Sequence, residues 1–340
     1  KGGVLIYDSD HLAPDTSEID CLSVGVPITS ATIESVGGSA KEKGKNIFVL
    51  GLLCRLFDLE VAKMTKLITE KFGKFGEDVI RNTMLAFDAG YAWPADNIRD
   101  MYFKLKPAED DNGHPQITTD GNSALTMGLL AGGVRYGAGY PITPWSTIME
   151  SLRIELQKYG GGFVQAEDEL AAVSYAIGMA YSGHLAVTGS SGPGLSLKME
   201  ALGWATMAEL PLIVVNVQRG GPSTGLPTNV EQSDLMQAIY GSHGDTPRII
   251  IAPQDVEDCF YIAIEAARLA REYSTPVIIL TDQALASRIE AFDEPNVDEI
   301  MVDPTVDLTP RGEDFKPYPM DELTRHAAPG TKIEGAPYPT

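Results

Sequence analysis

Residues 140–146 read YPITPWS, residues 163–181 FVQAEDELAAVSYAIGMAY, residues 186–203 AVTGSSGPGLSLKMEALG, and residues 211–235 PLIVVNVQRGGPSTGLPTNVEQSDL. Three times a short apolar run ends in a polar or Gly/Pro loop, and a helix-period pattern follows. That rhythm predicts an α/β fold with a parallel sheet, whose ligand crevice lies outside the carboxyl ends of the strands. The unusual residues sit in those loops: Thr143, Glu167, Ser190 to Gly194, and Arg219 to Thr228. Loops on a rigid scaffold are where function collects.

Outward from this stretch, a domain is expected over 120–292, its strands ending near Tyr140, Gln165, Thr188, Gln218, Ile251 and Leu280. Helices are expected at Gly121–Arg135 and Val256–Arg271. Residues 108–119, polar with Gly and Pro, read as a linker, and 293–340 as an extended tail that wraps a neighbour or leads into a further domain. Residues 1–107 form a separate block with strands at Gly2–Tyr7 and Leu22–Ile28 and a turn near Gly37 and Gly38. Its helices are expected at Asn46–Phe57, Glu60–Phe72 and Glu77–Ala89. The stripe Val61, Met64, Lys66 to Ile68 and Phe72 reads as core.

The chain has 340 residues, 44% hydrophobic and 21% charged, as in ordinary globular proteins. Its apolar runs, such as PLIVV and PVIIL, are far shorter than the about 20 residues a membrane span needs. A net charge of −21 lacks the basic stripe of a nucleic-acid surface. Cys21, Cys54 and Cys259 form no CxxC pair and the five histidines are scattered, so no metal site is expected within the chain. With no signal-peptide pattern the expected location is cytoplasmic, although the chain opens at Lys1 without Met and leaves room for a preceding segment.

Each motif carries an ordinary reading beside a functional one. Thr143 can cap a helix with Pro144 at its first position, or can turn its hydroxyl to a ligand oxygen. Asp168 and Glu169 suit the dipole of a helix start, whereas Glu167 sits on the crevice side, where a partly buried carboxylate could hold a proton. Gly189 to Gly194 is either a phosphate loop or a tight turn, and lacks the GxxxxGKS pattern. Arg219 is either a carboxylate or phosphate clamp or a partner in a structural salt bridge. His243 reads as a solvated loop histidine.

Together, YPITP, QAEDE, TGSSGPGLSLKMEALG, QRGGPSTGLPT and EQSDL resemble the 2-oxoacid:ferredoxin oxidoreductases, specifically the α subunit of the 2-oxoglutarate type, over Gly121 to Ala286. The resemblance implies a parallel-sheet domain of the kind that binds the pyrimidine of thiamine diphosphate. Residues 1 to about 105 resemble the later part of the family's γ-type α/β domain. This suggests a fragment of a longer protein or a reduced version. The implied chemistry is oxidative decarboxylation of a 2-oxoacid with coenzyme A, electrons passing to ferredoxin. By the same resemblance Glu167 pairs with pyrimidine N1′, and Thr143, Arg219 and Thr228 meet the substrate. Tyr140, Pro141, Ile142, Ser190, Ser191 and Gly192 would surround the cofactor. The diphosphate site, Mg2+ and the 4Fe-4S cluster are expected in a partner β subunit, in a dimer of heterodimers.

Overall fold

A computed structural model describes residues 3–18, 20–37, 44–98, 105, 113–316, 320, 327–328 and 330–339. The chain divides into two compact units, 1–112 and 113–340.

In the first unit, β1 (Gly3–Asp8) and β2 (Cys21–Val26) pair in parallel. Four helices follow: α1 (Ile28–Val36), α2 (Lys45–Leu56), α3 (Val61–Phe72) and α4 (Glu77–Asn97). Helices α2 and α4 approach closely enough that a Cβ on Gly51 would lie 2.1 Å from the Phe87 carbonyl, and one on Gly90 1.9 Å from that of Phe48. Glycine at these two sites is therefore a packing requirement. Of the expected stripe, Ile68 is buried while Val61, Met64 and Phe72 pack partly buried against the core. Helix α4 runs past the expected end at Ala89 to Asn97. Gly2 and Gly38, parts of the expected strand and turn, lie outside the described residues, as do 108–112 of the expected linker.

The second unit opens with β3 (Gln116–Asp120), which takes up the end of the stretch read as linker. It then continues through α5 (Gly121–Ala131), β4 (Tyr136–Gly139), α6 (Ser146–Lys158), β5 (Gly162–Gln165), α7 (Glu169–Tyr181), β6 (Ala186–Ser190) and α8 (Gly192–Met207). After these come β7 (Leu212–Gln218), α9 (Leu235–Tyr240), β8 (Ile249–Ile251), α10 (Val256–Tyr273), β9 (Pro276–Asp282), α11 (Gln283–Ser287), β10 (Ile289–Asp293) and α12 (Val297–Ile300). Six strands form a parallel sheet in the order β5-β4-β6-β7-β9-β8, as the repeated strand–loop–helix rhythm predicts. Strands β3 and β10 pair antiparallel, a side piece that rhythm did not reveal. The tail is not wholly extended: α12 follows β10, and Arg311 bridges to Ile333.

Successive side chains on a strand point to opposite faces, and both faces of this sheet are covered. On β7, Ile213, Val215 and Val217 join one core while Leu212 and Val214 join the other. On β9, Val277 and Ile279 face the first, Ile278 and Leu280 the second. Each buried side chain of this size contributes roughly 1.5–3 kcal/mol. That double burial fixes the register of the strand ends, and so the positions of the loops they feed.

Candidate functional site

The strand order reverses between β4 and β6, since β5 lies on one side of β4 and all later strands on the other. A crevice at such a switch point is the default ligand site of an open α/β sheet. The loops after β4 and β6 meet there, with Gly139 paired to Gly189 in register and Ser190 to Asn216.

The YPITP loop does not start a helix as expected. Helix α6 begins at Ser146, because the Thr143 carbonyl accepts from Arg219 Nη1 at 2.6 Å and the Pro144 carbonyl from Asn122 Nδ2 at 3.0 Å. Trp145, fully buried, anchors the loop instead: a Cβ on Gly189 would lie 2.3 Å from its indole. Tyr140 and Ile142 are half-buried, and Pro141 and Thr143 are exposed. Beside Thr143 opens a cavity of about 650 Å³ lined by Asp120, Asn122, Thr147, Glu150 and Gln283 among others. Its lining includes two carboxylates and no basic side chain, which makes it a poor receptor for an acid.

At the β5–α7 junction the three acids separate. Asp168 is the N-cap, its carboxylate accepting from Ala171 N–H at 2.7 Å. Glu167, expected to be partly buried, is exposed. Glu169 is the buried one, 8% exposed, and its carboxylate lies against the start of α8: a Cβ on Gly194 would sit 2.8 Å from Glu169 Oε1 and 1.9 Å from Ser190 Oγ. On α7, Val173 and Ile177 are buried while Leu170 and Tyr181 lie on the surface.

In the Ser190–Gly194 loop Ser190, Ser191 and Gly194 are buried, Gly192 and Pro193 are half-buried, and the Ser190 and Ser191 hydroxyls have no hydrogen-bond partner. Helix α8 carries no side-chain cap. The carboxylate of Asp234 faces this end instead, with both oxygens 3.3 Å from where a Gly192 Cβ would stand, and it accepts from Asn216 Nδ2 at 2.8 Å. A buried carboxylate already at the helix N-terminus opposes a second anion there. The phosphate-loop reading therefore loses to the tight turn. Asn216 Oδ1 completes a set of three unpartnered acceptor-capable atoms near Glu169 and Asp234.

Arg219 is buried, and burial lowers its proton affinity. The salt bridge that was the alternative to a carboxylate or phosphate clamp is absent among the described residues. Its Nη1 and Nη2 donate instead to the carbonyls of Thr143 and Thr224, both at 2.6 Å, and Nε is unpartnered. Thr228 and His243 are exposed on their loops. Cys21 is half-buried and Cys54 and Cys259 are buried, and burial pushes the Cys259 thiol up to about 12. Among the described residues no group of three or more His, Cys, Asp or Glu is placed to hold a metal, and no helix is long and apolar enough to cross a membrane.

Sequence reasoning passed over Glu169, Asp234 and Lys198. The last left a signal: Leu195, Lys198, Met199 and Leu202 share the spacing of a buried helical stripe, and Lys198 is fully buried within it.

A parallel sheet with uncapped helix starts and orphaned hydroxyls at its switch point defines a ligand-binding α/β domain. The family description "Pyruvate flavodoxin/ferredoxin oxidoreductase, thiamine diP-bdg" matches residues 127–332, more than half of the chain, and the chain belongs to this family. A second description, "Pyruvate ferredoxin/flavodoxin oxidoreductase", matches residues 1–93. The chain is 41% identical over 320 residues to the 2-oxoglutarate oxidoreductase subunit KorA of Mycobacterium tuberculosis, covering 89% of this chain and 48% of the relative. It is 46% identical over 180 residues to the 2-oxoglutarate synthase subunit KorA of Archaeoglobus fulgidus, covering 53% and 52%. The chain thus spans about half the length of these curated relatives. Among solved structures, the 2-oxoglutarate:ferredoxin oxidoreductase from Magnetococcus marinus with 2-oxoglutarate, coenzyme A and succinyl-CoA bound superposes with a TM-score of 0.79 at 35% identity, over 97% of this chain and 57% of that one.

Proposed function

We propose that this chain is part of the α-type subunit of a thiamine diphosphate-dependent 2-oxoacid:ferredoxin oxidoreductase acting on 2-oxoglutarate with coenzyme A. The observation that carries the reading is the buried Glu169 carboxylate at the switch point, beside the unpartnered Ser190 hydroxyl. This donor set suits the aminopyrimidine half of the cofactor and not its diphosphate, because Asp234 holds the start of α8. When bound, the cofactor supplies a nucleophilic carbon for attack on the 2-oxoacid carbonyl. Glu169 would exchange a proton at pyrimidine N1′, a role the resemblance implied for Glu167; the burial of Glu169 and the exposure of Glu167 support moving it two residues on. Ser190, Ser191 and Gly192 line the ring, with Tyr140, Pro141 and Ile142 on the facing loop. Thr143 and Thr228 contact the substrate, and Arg219 holds its carboxylate. A β subunit contributes Mg2+, the diphosphate site and the 4Fe-4S cluster, and ferredoxin takes the electrons.

The test is purification of the native complex and assay of coenzyme A-dependent ferredoxin reduction with 2-oxoglutarate, pyruvate and branched-chain 2-oxoacids. Preference for 2-oxoglutarate supports the reading, and preference for another acid moves the specificity within the family. No turnover with any of them, in a complex that contains thiamine diphosphate, leaves a non-catalytic subunit.

A further inference from the structure

Strands β7 and β9 are apolar until their carboxyl ends, and there Asn216, Gln218 and Asp282 are buried. These three continue the sheet face begun by Leu212, Val214, Ile278 and Leu280, and Gln218 and Asp282 are partners in register. A polar side chain in such a place costs stability unless it is hydrogen-bonded. All three bond to the returning limb of the 219–234 loop. Asn216 Nδ2 donates to the Asp234 carboxylate at 2.8 Å, and the Asp234 N–H donates to Gln218 Oε1 at 3.0 Å. Asp282 caps α11 with Oδ1, and its Oδ2 accepts from Gln232 Nε2 at 2.5 Å.

Between these anchors the loop bonds to itself. The Gly220 N–H donates to the Asn229 carbonyl at 2.9 Å, the Leu226 N–H to that of Gly220 at 2.8 Å, and the Gly221 N–H to the Glu231 carboxylate at 2.7 Å. Arg219 opens the loop directly after Gln218, and its guanidinium reaches the carbonyls of Thr143 and Thr224. A loop that only covered the crevice would need no buried amide at a strand end. One that holds a guanidinium ready has use for it, because order established before a ligand arrives is not a cost of binding it.

We propose that Asn216 and Gln218 are positioning residues, which staple the returning limb of the 219–234 loop to β7 and so preorganise Arg219 for the substrate carboxylate. They act through Arg219 and rest on its reading given above.

The experiment compares wild type with Gln218→Met in the full chain with its co-purified subunits. Methionine has about the volume of glutamine but offers no such acceptor, so the Asp234 N–H loses its partner. Hydrogen exchange of peptides from 219–234 should become about tenfold faster, the factor one lost buried hydrogen bond supplies, with α5 and α10 unchanged. The KM for the preferred 2-oxoacid should rise by about the same factor, at unchanged kcat and unchanged KM for coenzyme A, the signature of lost ground-state binding. Unchanged exchange across 219–234 overturns the staple, and faster exchange with an unmoved KM overturns the positioning role. If Gln218→Met does not fold, Gln232→Ala, at an exposed position, decides: exchange and KM should both rise about twofold or more, and either one unmoved overturns the inference. An unmoved KM in Arg219→Ala would instead overturn the reading of Arg219, while the exchange result still decides the staple.

Discussion

The helices of the second unit begin in two ways. In α5, α7, α10 and α11 an aspartate closes the first turn: Asp120, Asp168, Asp255 and Asp282 each accept a backbone N–H three residues on. Helices α6 and α8, which follow the two strands flanking the switch point, begin with no side-chain cap, as do the short α9 and α12. The buried polar atoms without partners include Trp145 Nε1, Ser190 Oγ and Ser191 Oγ, all at the starts of α6 and α8. Capped junctions bond their own first-turn N–H groups and serve as scaffold, although Asn122 Oδ1 in α5 and Gln283 Oε1 in α11 also stand without partners among the described residues. Uncapped ones keep hydrogen-bonding capacity in reserve, at a cost to stability that a bound ligand can offset.

Five substitutions break or sharpen this contrast. The largest effect is expected from Glu169→Gln, which leaves a carboxyl-shaped group that cannot exchange a proton. Turnover and C2-proton exchange should fall by about 10²-fold or more. Glu167→Gln, at an exposed position before the cap, should change exchange by far less. The reverse ranking would return the role to Glu167.

Next comes Gly189→Ala, which drives a methyl into the buried Trp145 indole. Overpacking of this kind costs about 1–3 kcal/mol, read as a lower denaturant midpoint at unchanged slope. A neutral result would mean the YPITP loop is not anchored by that ring. The smallest pair compares cap types directly. Asp168→Ala should lose about 1 kcal/mol as a true N-cap, whereas Ser191→Ala, removing a hydroxyl that bonds to nothing, should stay within about 0.5 kcal/mol or gain. Equal losses would show that Ser191 caps α8 after all.

Much of the scaffold was legible because period is a one-dimensional signal. The runs PLIVVNVQ and PVIILTD announce strands buried on both faces, and the loops that end them were placed to within a residue or two. The β3–β10 pair was not legible, since its strands are separated by the whole domain and no local pattern links them. The site was half-legible for a similar reason. Its loops were found, but the choice between Glu167 and Glu169 depends on where the cap falls. Asp168, between them, turns one outward and the other in. Asp234 lies distant in sequence from Gly192 and meets it only in the fold.

Arg219 ties the loop carrying Thr143 to the loop carrying Thr224 through one guanidinium. The two carbonyls take only two of its five N–H groups, and the Nε edge, buried and without a partner, is left to receive a further acceptor without breaking the tie. The 220–228 loop also closes on itself through the Gly220 N–H to Asn229 and Leu226 N–H to Gly220 bonds, so the guanidinium works as a rivet between two stiff loops, with one edge still bare.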